Sequence, residues 1–180
     1  MMKRSIYEAT MTVLNENGFD GLRMDRVAKA AAVATGTLYN YFRDKDALLL
    51  HVLDTRFVPI RQLFSEIRDS HRTPPEKLED LVQAHLNFVA EYRSLVIIIT
   101  TAEGLSLAVK KWANAKREKV RRILAEIIDQ GINQSLFRPF DSMLAARLIL
   151  GAINGLVEAI IDNNVETMRG GCVQWLSHGK

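Results

Sequence analysis

Cysteine occurs once in the 180 residues, at Cys172, so the chain forms no internal disulfide and no cysteine-based zinc cluster. Histidine is also scarce. His51, His71, His85 and His178 are not spaced as H-x-x-x-H, so no helix offers a metal two imidazoles on one face. No metal and no cofactor are expected. Only four prolines and ten glycines occur, which excludes collagen-like and low-complexity chains. Long apolar runs are missing too: the most apolar stretch, Ser94 to Thr101, is far too short to span a bilayer. The opening Met-Met-Lys-Arg-Ser leads into an amphipathic pattern, not a signal peptide. With one cysteine and no membrane segment, the expected location is a reducing cytoplasm. Strand signals are poor: apolar–polar alternation is not sustained, and Asp20-Gly21 lies between two helical patterns. Finally, no nucleophile–base motif, glycine-rich phosphate loop or paired-carboxylate signature appears, so the residues point to no enzyme.

What remains is an ordinary globular composition, 48% hydrophobic and 25% charged, with enough apolar residues for a sizeable core. The net charge is only +3. Residues 1–45 carry seven basic side chains against five acidic ones, a mild bias that permits nucleic-acid binding.

Helical periodicity recurs throughout and predicts an all-α fold. Ile6, Ala9, Val13 and Leu14 mark one face of a first helix, with Gly18 as its C-terminal stop. Met24, Val27, Ala28 and Ala31 mark a second. A short third helix is predicted over Thr35 to Tyr41, and Asp44 caps a long fourth. Pro59 is expected to kink or end that helix near Val58. After Arg72-Thr73-Pro74-Pro75, further helices are expected to about Tyr92, over Leu95–Thr101, from Ser106 to Gln130 with Gly131 as terminator, and from Asp141 or Ser142 to about Asp162. A weaker helical segment broken by Gly170-Gly171 completes the chain.

The informative stretch runs from Arg23 to Lys45: a helix, a tight turn near Ala32-Val33, and a second short helix. That is a helix-turn-helix, whose second helix enters the major groove. At 100° per residue, Leu38 and Phe42 share the core side of that helix and Gly36 and Asn40 face away. Thr37 and Tyr39 lie on the flanks, and Tyr41 nearer the core edge. Gly36 allows close backbone approach to DNA. Thr37 and Asn40 offer polar groups and a methyl to base edges. Tyr39, Tyr41 and Lys45 suit phosphates. Arg23 and Thr35, at the starts of the two helices, complete the expected DNA-contacting set.

Val27-Ala28-Lys29-Ala30-Ala31, Val33, Gly36-Thr37-Leu38-Tyr39-Asn40-Tyr41-Phe42, Lys45 and Leu48, preceded by Asn17-Gly18-Phe19-Asp20-Gly21, give residues 5–50 their character. This stretch resembles the tetracycline-repressor (TetR/AcrR) family of bacterial regulators. The chain departs from the family pattern at Ala32, often a glycine, and at Ala34 and Arg23, where a Ser or Thr commonly caps a helix. Later segments, Gly131-Ile132 to Pro139 and Gly151 to Leu156, look familial as well.

The resemblance implies residues 1–46 as a DNA-binding unit and 47–180 as a regulatory and dimerisation unit. It implies a homodimer bound to a palindromic double-stranded operator and released by a small apolar or amphipathic effector. It further implies a cavity beside the fourth helix, for which Phe57, Phe64, His85, Phe88, Tyr92 and Trp112 are the candidate lining residues, drawn from a wider apolar group that includes Ile97 and Ile98. Leu148, Gly151, Ala152 and Gly155, on one stripe of the last long helix, are the candidate dimer contacts. Two rival readings are a helical architectural DNA-binding protein without a ligand, and an α-helical enzyme or carrier. His85 reads either as a core histidine with a satisfied ring or as a polar anchor in a cavity. The basic run from Lys110 to Arg122 reads as the solvated face of a long helix in preference to a second anion site.

Overall fold

The computed structural model describes residues 2–161, and among them the predicted periodicities become eight α-helices and no strand. These are α1 (Met2–Asn17), α2 (Met24–Ala30), α3 (Thr35–Tyr41), α4 (Lys45–Asp69), α5 (Pro74–Glu91), α6 (Arg93–Thr101), α7 (Leu107–Asn133) and α8 (Ser142–Ile161). The expected segment around Gly170-Gly171 lies outside the described residues, as do Cys172 and His178.

Capping chemistry fixes most helix starts. The Asp44 carboxylate accepts from the Ala47 amide at 2.7 Å, Ser106 Oγ from Val109 at 3.3 Å, and Asp141 from Leu144 at 2.9 Å. Thr73 donates its amide to the Glu76 carboxylate at 2.8 Å, with Pro74 at the first helical position. Ala34 and Arg23 provide no side-chain cap to α3 and α2.

The helix ends are more informative. Gly18 closes α1 at φ +63°. The α2–α3 turn is a Schellman motif: Val33 N–H donates to Ala28 O at 3.0 Å and Ala32 N–H to Lys29 O at 3.1 Å. Its left-handed position, φ +53°, is occupied by Ala32. The same motif ends α7, where Leu136 and Ser135 donate to Gly131 and Ile132 and Ser135 sits at φ +58°.

Two expectations need correction. Gly131 does not end α7; it lies inside the helix and is buried, and a Cβ there would stand 2.1 Å from the Phe137 ring. The glycine is a seat for an aromatic ring. Nor does Pro59 end α4, which continues for ten residues beyond it. Proline removes one ladder donor and crowds the preceding turn, but both halves of the helix are anchored by separate cores. Leu48, Leu49, Val52 and Leu53 belong to the first core and Phe64 to the second.

That first core packs α1, α2 and α3 against the first turns of α4, and it also takes in Leu95, Ile98, Leu105 and Val109. The helix-turn-helix is thus not an isolated bundle: α6 and the start of α7 close its floor. The second core joins α4, α5, α7 and α8 through Phe64, Leu81, Leu124, Ile127 and Ala146. Beside it the buried Lys77 ammonium donates to Arg68 O at 2.7 Å and Gln130 Oε1 at 3.2 Å, which satisfies a charge that burial would otherwise penalise. α4 runs through both cores, and this continuity connects the two ends of the molecule.

Candidate nucleic-acid interface and regulatory cavity

Burial of Leu38 and Phe42 orients α3 and leaves Thr35, Gly36, Tyr39, Asn40 and Tyr41 exposed, with Thr37 half-buried at the flank. A Cβ built on Gly36 would meet nothing within 4 Å, so the backbone there is open to close approach. Tyr39 and Tyr41 are 50% and 43% exposed. Tyr41 therefore stands clear of the core edge where helical geometry put it. Lys45, half-buried in the first turn of α4, holds its Nζ 4.4 Å from the centre of the Phe19 ring. Arg23 is exposed and engages Asp25, Nε to Oδ1 at 3.1 Å and Nη2 to Oδ2 at 3.3 Å. An exposed pair of this kind contributes little to stability, so the guanidinium is exchangeable toward a phosphate. Arg26, exposed on α2 and bonded to Asn17 Oδ1 at 2.7 Å, was not among the sequence candidates. Together these groups form a small polar ridge flanked by aromatic and basic side chains, the composition that reads base edges and grips the backbone beside them.

A cavity of about 70 Å³ lies between α4, α5, α6, α7 and α8. Phe57, Phe64, His85, Phe88 and Trp112 line it, five of the six residues expected to do so. Tyr92 does not. Its ring packs behind Phe88 at 5.0 Å between centroids, and its hydroxyl joins Arg56 and Glu91. Ile98 is likewise drawn into the first core, and Ile99 lines the cavity instead. The aromatic wall is tightly keyed: Phe57 meets Phe88 at 4.7 Å and Trp112 at 5.1 Å, both edge to face.

The cavity is not purely apolar. Arg61, Lys116 and Arg117 line it and no carboxylate does. Lys116 is paired with Asp54 at 3.2 Å, and Trp112 Nε1 donates to the same carboxylate at 3.0 Å. Burial pushes the Asp54 carboxyl upward, but the bonds from Trp112 and Lys116 outweigh it and hold the group below its ordinary value. Burial, with Arg121 nearby, lowers the Arg117 guanidinium. The expected solvated basic face is therefore divided. Lys110, Lys111, Lys119 and Arg122 are exposed, while Lys116 and Arg117 turn inward. The signal was present in the spacing: Lys116 and Val120 repeat Trp112 at four-residue intervals, on the stripe that faces the cavity.

Between cavity and DNA-binding helices stands Arg56. Its guanidinium bonds the Tyr7 hydroxyl of α1 and lies 4.6 Å from the Tyr7 ring and 5.0 Å from that of Tyr92. On α8, Leu148, Gly151, Ala152 and Gly155 are all exposed, Leu148 by 60%. Leu144, 46% exposed, extends the stripe by one turn, while Ala146, Leu150 and Ile153 on the other face are buried.

Comparison with known proteins matches residues 6–52 to the family described as bacterial regulatory proteins, tetR family. Residues 71–158 match the tetracyclin repressor-like C-terminal domain. The fatty acid metabolism regulator protein of Bacillus subtilis is 27% identical over 161 residues, covering 88% of this chain and 83% of that protein. In fold, the chain is similar to the transcriptional regulator FadR of Bacillus subtilis, solved with stearoyl-CoA (TM-score 0.81, 23% identity, 98% of both chains). It is also similar to AibR, solved with isovaleryl coenzyme A and operator DNA (TM-score 0.70, 22% identity, 88% of this chain and 86% of that one).

Proposed function

The chain belongs to the tetR family of bacterial regulatory proteins, and from that premise we propose that it is a one-component repressor that leaves its operator when an acyl thioester enters the cavity. The observation that carries this reading is a single helix, α4, which lines the cavity through Phe57, Ile60, Arg61 and Phe64 and packs in the core of α1–α3 through Leu48, Leu49, Val52 and Leu53. Any ligand that moves the first group acts on a rod fixed to the second.

The cavity supports the choice of effector. Its walls are aromatic and aliphatic, suited to an acyl chain, and Arg61 and Arg117, which have no ion-pair partner among the described residues, suit a phosphorylated carrier. Two structurally similar regulators were solved with acyl-coenzyme A ligands. A cavity of about 70 Å³ is well below the roughly 300–1,000 Å³ of ordinary ligand pockets, so a longer chain enters only if the walls part. This gives the ligand its preference for a displaced arrangement of α4, and without such a preference no population would shift. Near-complete release needs about a 10⁴-fold preference, roughly 5.5 kcal/mol.

The DNA-binding unit, residues 1–46, presents α3 to the major groove, with Asn40 and Thr37 toward base edges and Tyr39, Tyr41, Lys45 and Arg23 toward phosphates. Gly36 and Thr35 let the backbone approach. The remainder, residues 47–180, forms the regulatory unit. The exposed stripe of Leu148, Gly151, Ala152 and Gly155 pairs with its copy in a homodimer, so two α3 helices read a palindrome. Small residues on that stripe allow the helices to approach closely. The test is to sequence genomic fragments retained by the protein with and without acyl-CoA. Enrichment of an inverted repeat that acyl-CoA abolishes is the expected result. Retention without sequence preference would overturn the reading.

A further inference from the structure

The polar side chains around the cavity are unequal. Arg61 Nε donates to Phe57 O at 3.2 Å, Lys116 and Trp112 share the Asp54 carboxylate, and the Thr100 hydroxyl bonds Val96 O at 2.8 Å. Three lining side chains have no hydrogen-bond or ion-pair partner in the structure: Arg117 on α7, Asn154 on α8 and His85 on α5. A guanidinium at the cavity wall suits the anionic end of an amphipathic ligand, but the other two are a different matter.

His85 is a partly buried residue of the wall, one turn from both Leu81 and Phe88. Its ring is stacked on Phe64 at 6.0 Å between centroids and 19° between planes. Stacking fixes the plane of the imidazole without using either nitrogen. The residue is only partly buried, and a ligand that covered the ring without supplying a partner would impose the penalty of a desolvated, unmade hydrogen bond. The apolar surroundings keep the ring neutral, pushing it down to about 4. It therefore offers one donor and one acceptor, the complement of a hydroxyl. Asn154 adds an unpartnered amide to the same cavity from α8.

We propose that His85, with Asn154, makes this cavity selective for acyl chains that carry a hydroxyl group, and that a plain alkyl chain is the poorer ligand. This inference rests on the reading of the cavity as the effector site. The physical ground is an asymmetry of recognition. A site built to hydrogen-bond a hydroxyl rejects the analogue lacking it far more strongly than an apolar pocket rejects an added methylene, because the unpaired groups remain desolvated. An alkyl chain entering this cavity would cover His85 and give it nothing.

The test is calorimetric titration of the full chain with decanoyl-CoA and with decanoyl-CoA hydroxylated at carbon 3 or carbon 10. Wild-type protein should bind at least one hydroxylated ligand about tenfold or more tightly than decanoyl-CoA. In His85→Leu that preference should shrink to about threefold or less. His85→Gln keeps hydrogen-bonding groups while removing the ring, and should retain most of the preference, which separates recognition from cavity shape. Equal binding of plain and hydroxylated chains by wild type would overturn the assignment, as would a preference that persists unchanged in His85→Leu. If acyl-CoAs bind and release the operator without such discrimination, only the role of His85 falls. If none binds, the effector class falls with it.

Discussion

The Trp112 indole on α7 donates to the Asp54 carboxylate on α4 at 3.0 Å while its ring packs edge-on against Phe57, one turn further along α4. One side chain is thus both a wall of the cavity and a strut to the helix that carries the DNA-binding unit. Two residues beyond Asp54, Arg56 reaches across to Tyr7 of α1. In the proposed coupling, Asp54 and Arg56 are the places where cavity geometry would be converted into the attitude of α1–α3. Asp54→Asn and Arg56→Leu should bind operator within a few-fold of wild type yet need more acyl-CoA for half-release. Fluorescence anisotropy of a labelled operator duplex measures both. Unchanged half-release in both variants would remove α4 from the coupling route.

A second prediction concerns the turn of the helix-turn-helix. Ala32 occupies a left-handed position, φ +53°, which disfavours any residue with a Cβ. Ala32→Gly removes that strain and loses some chain entropy in exchange. The net expectation is a gain of about 0.5–1 kcal/mol, read as a melting temperature higher by about 2 °C. The same change at Ala31, whose backbone is in the right-handed helical region, should lower it.

The proposed DNA contacts divide by role. Lys45→Ala and Tyr41→Phe should weaken binding to specific and non-specific DNA alike, and Lys45→Ala should reduce the salt slope by about one. Asn40→Ala should instead relax preference at particular base pairs, by about 1–3 kcal/mol where a bidentate contact is lost. Competition with scrambled duplexes over a salt series distinguishes the two classes.

Much of this was legible in the sequence because it depends on local spacing. The positions of α3, the Asp44 cap and the Asp141 cap follow from residues within four of one another. What escaped was set by contacts distant in the chain. Gly131 reads as a helix stop until Phe137 is seen folded onto it. Pro59 reads as a break until Leu53 and Phe64, on either side, are found anchored in different cores. Tyr92 belongs by periodicity to the cavity stripe, but Arg56 and Glu91 draw it away. The inward turn of Lys116 and Arg117 was hidden by the exposed lysines around them.

The pH dependence of stability should report His85 directly. Its ordinary value is 6.5, and burial pushes it down to about 4 in the folded chain. The unfolded chain therefore binds more protons between those values. Stability is full above about pH 6.5 and is lost as pH falls toward 4, by roughly 3 kcal/mol at most. The charged groups sharing its cavity are Arg61 from α4 and Lys116 and Arg117 from α7, so no lining acid offsets the protonated ring. Denaturant midpoints at pH 7.5, 6 and 5 should fall more steeply for wild type than for His85→Leu. Parallel slopes would place the histidine in a wet environment.

The central claim is that occupancy of the cavity and occupancy of the operator exclude one another through α4. Its most direct measurement is the affinity of the protein for acyl-CoA in the presence and absence of saturating operator duplex. Linkage requires the two ligands to weaken each other by the same factor. The account predicts that operator lowers acyl-CoA affinity by at least about a hundredfold, and that acyl-CoA lowers operator affinity equally, a coupling of about 2.7 kcal/mol. Tight acyl-CoA binding that is indifferent to the operator would contradict it.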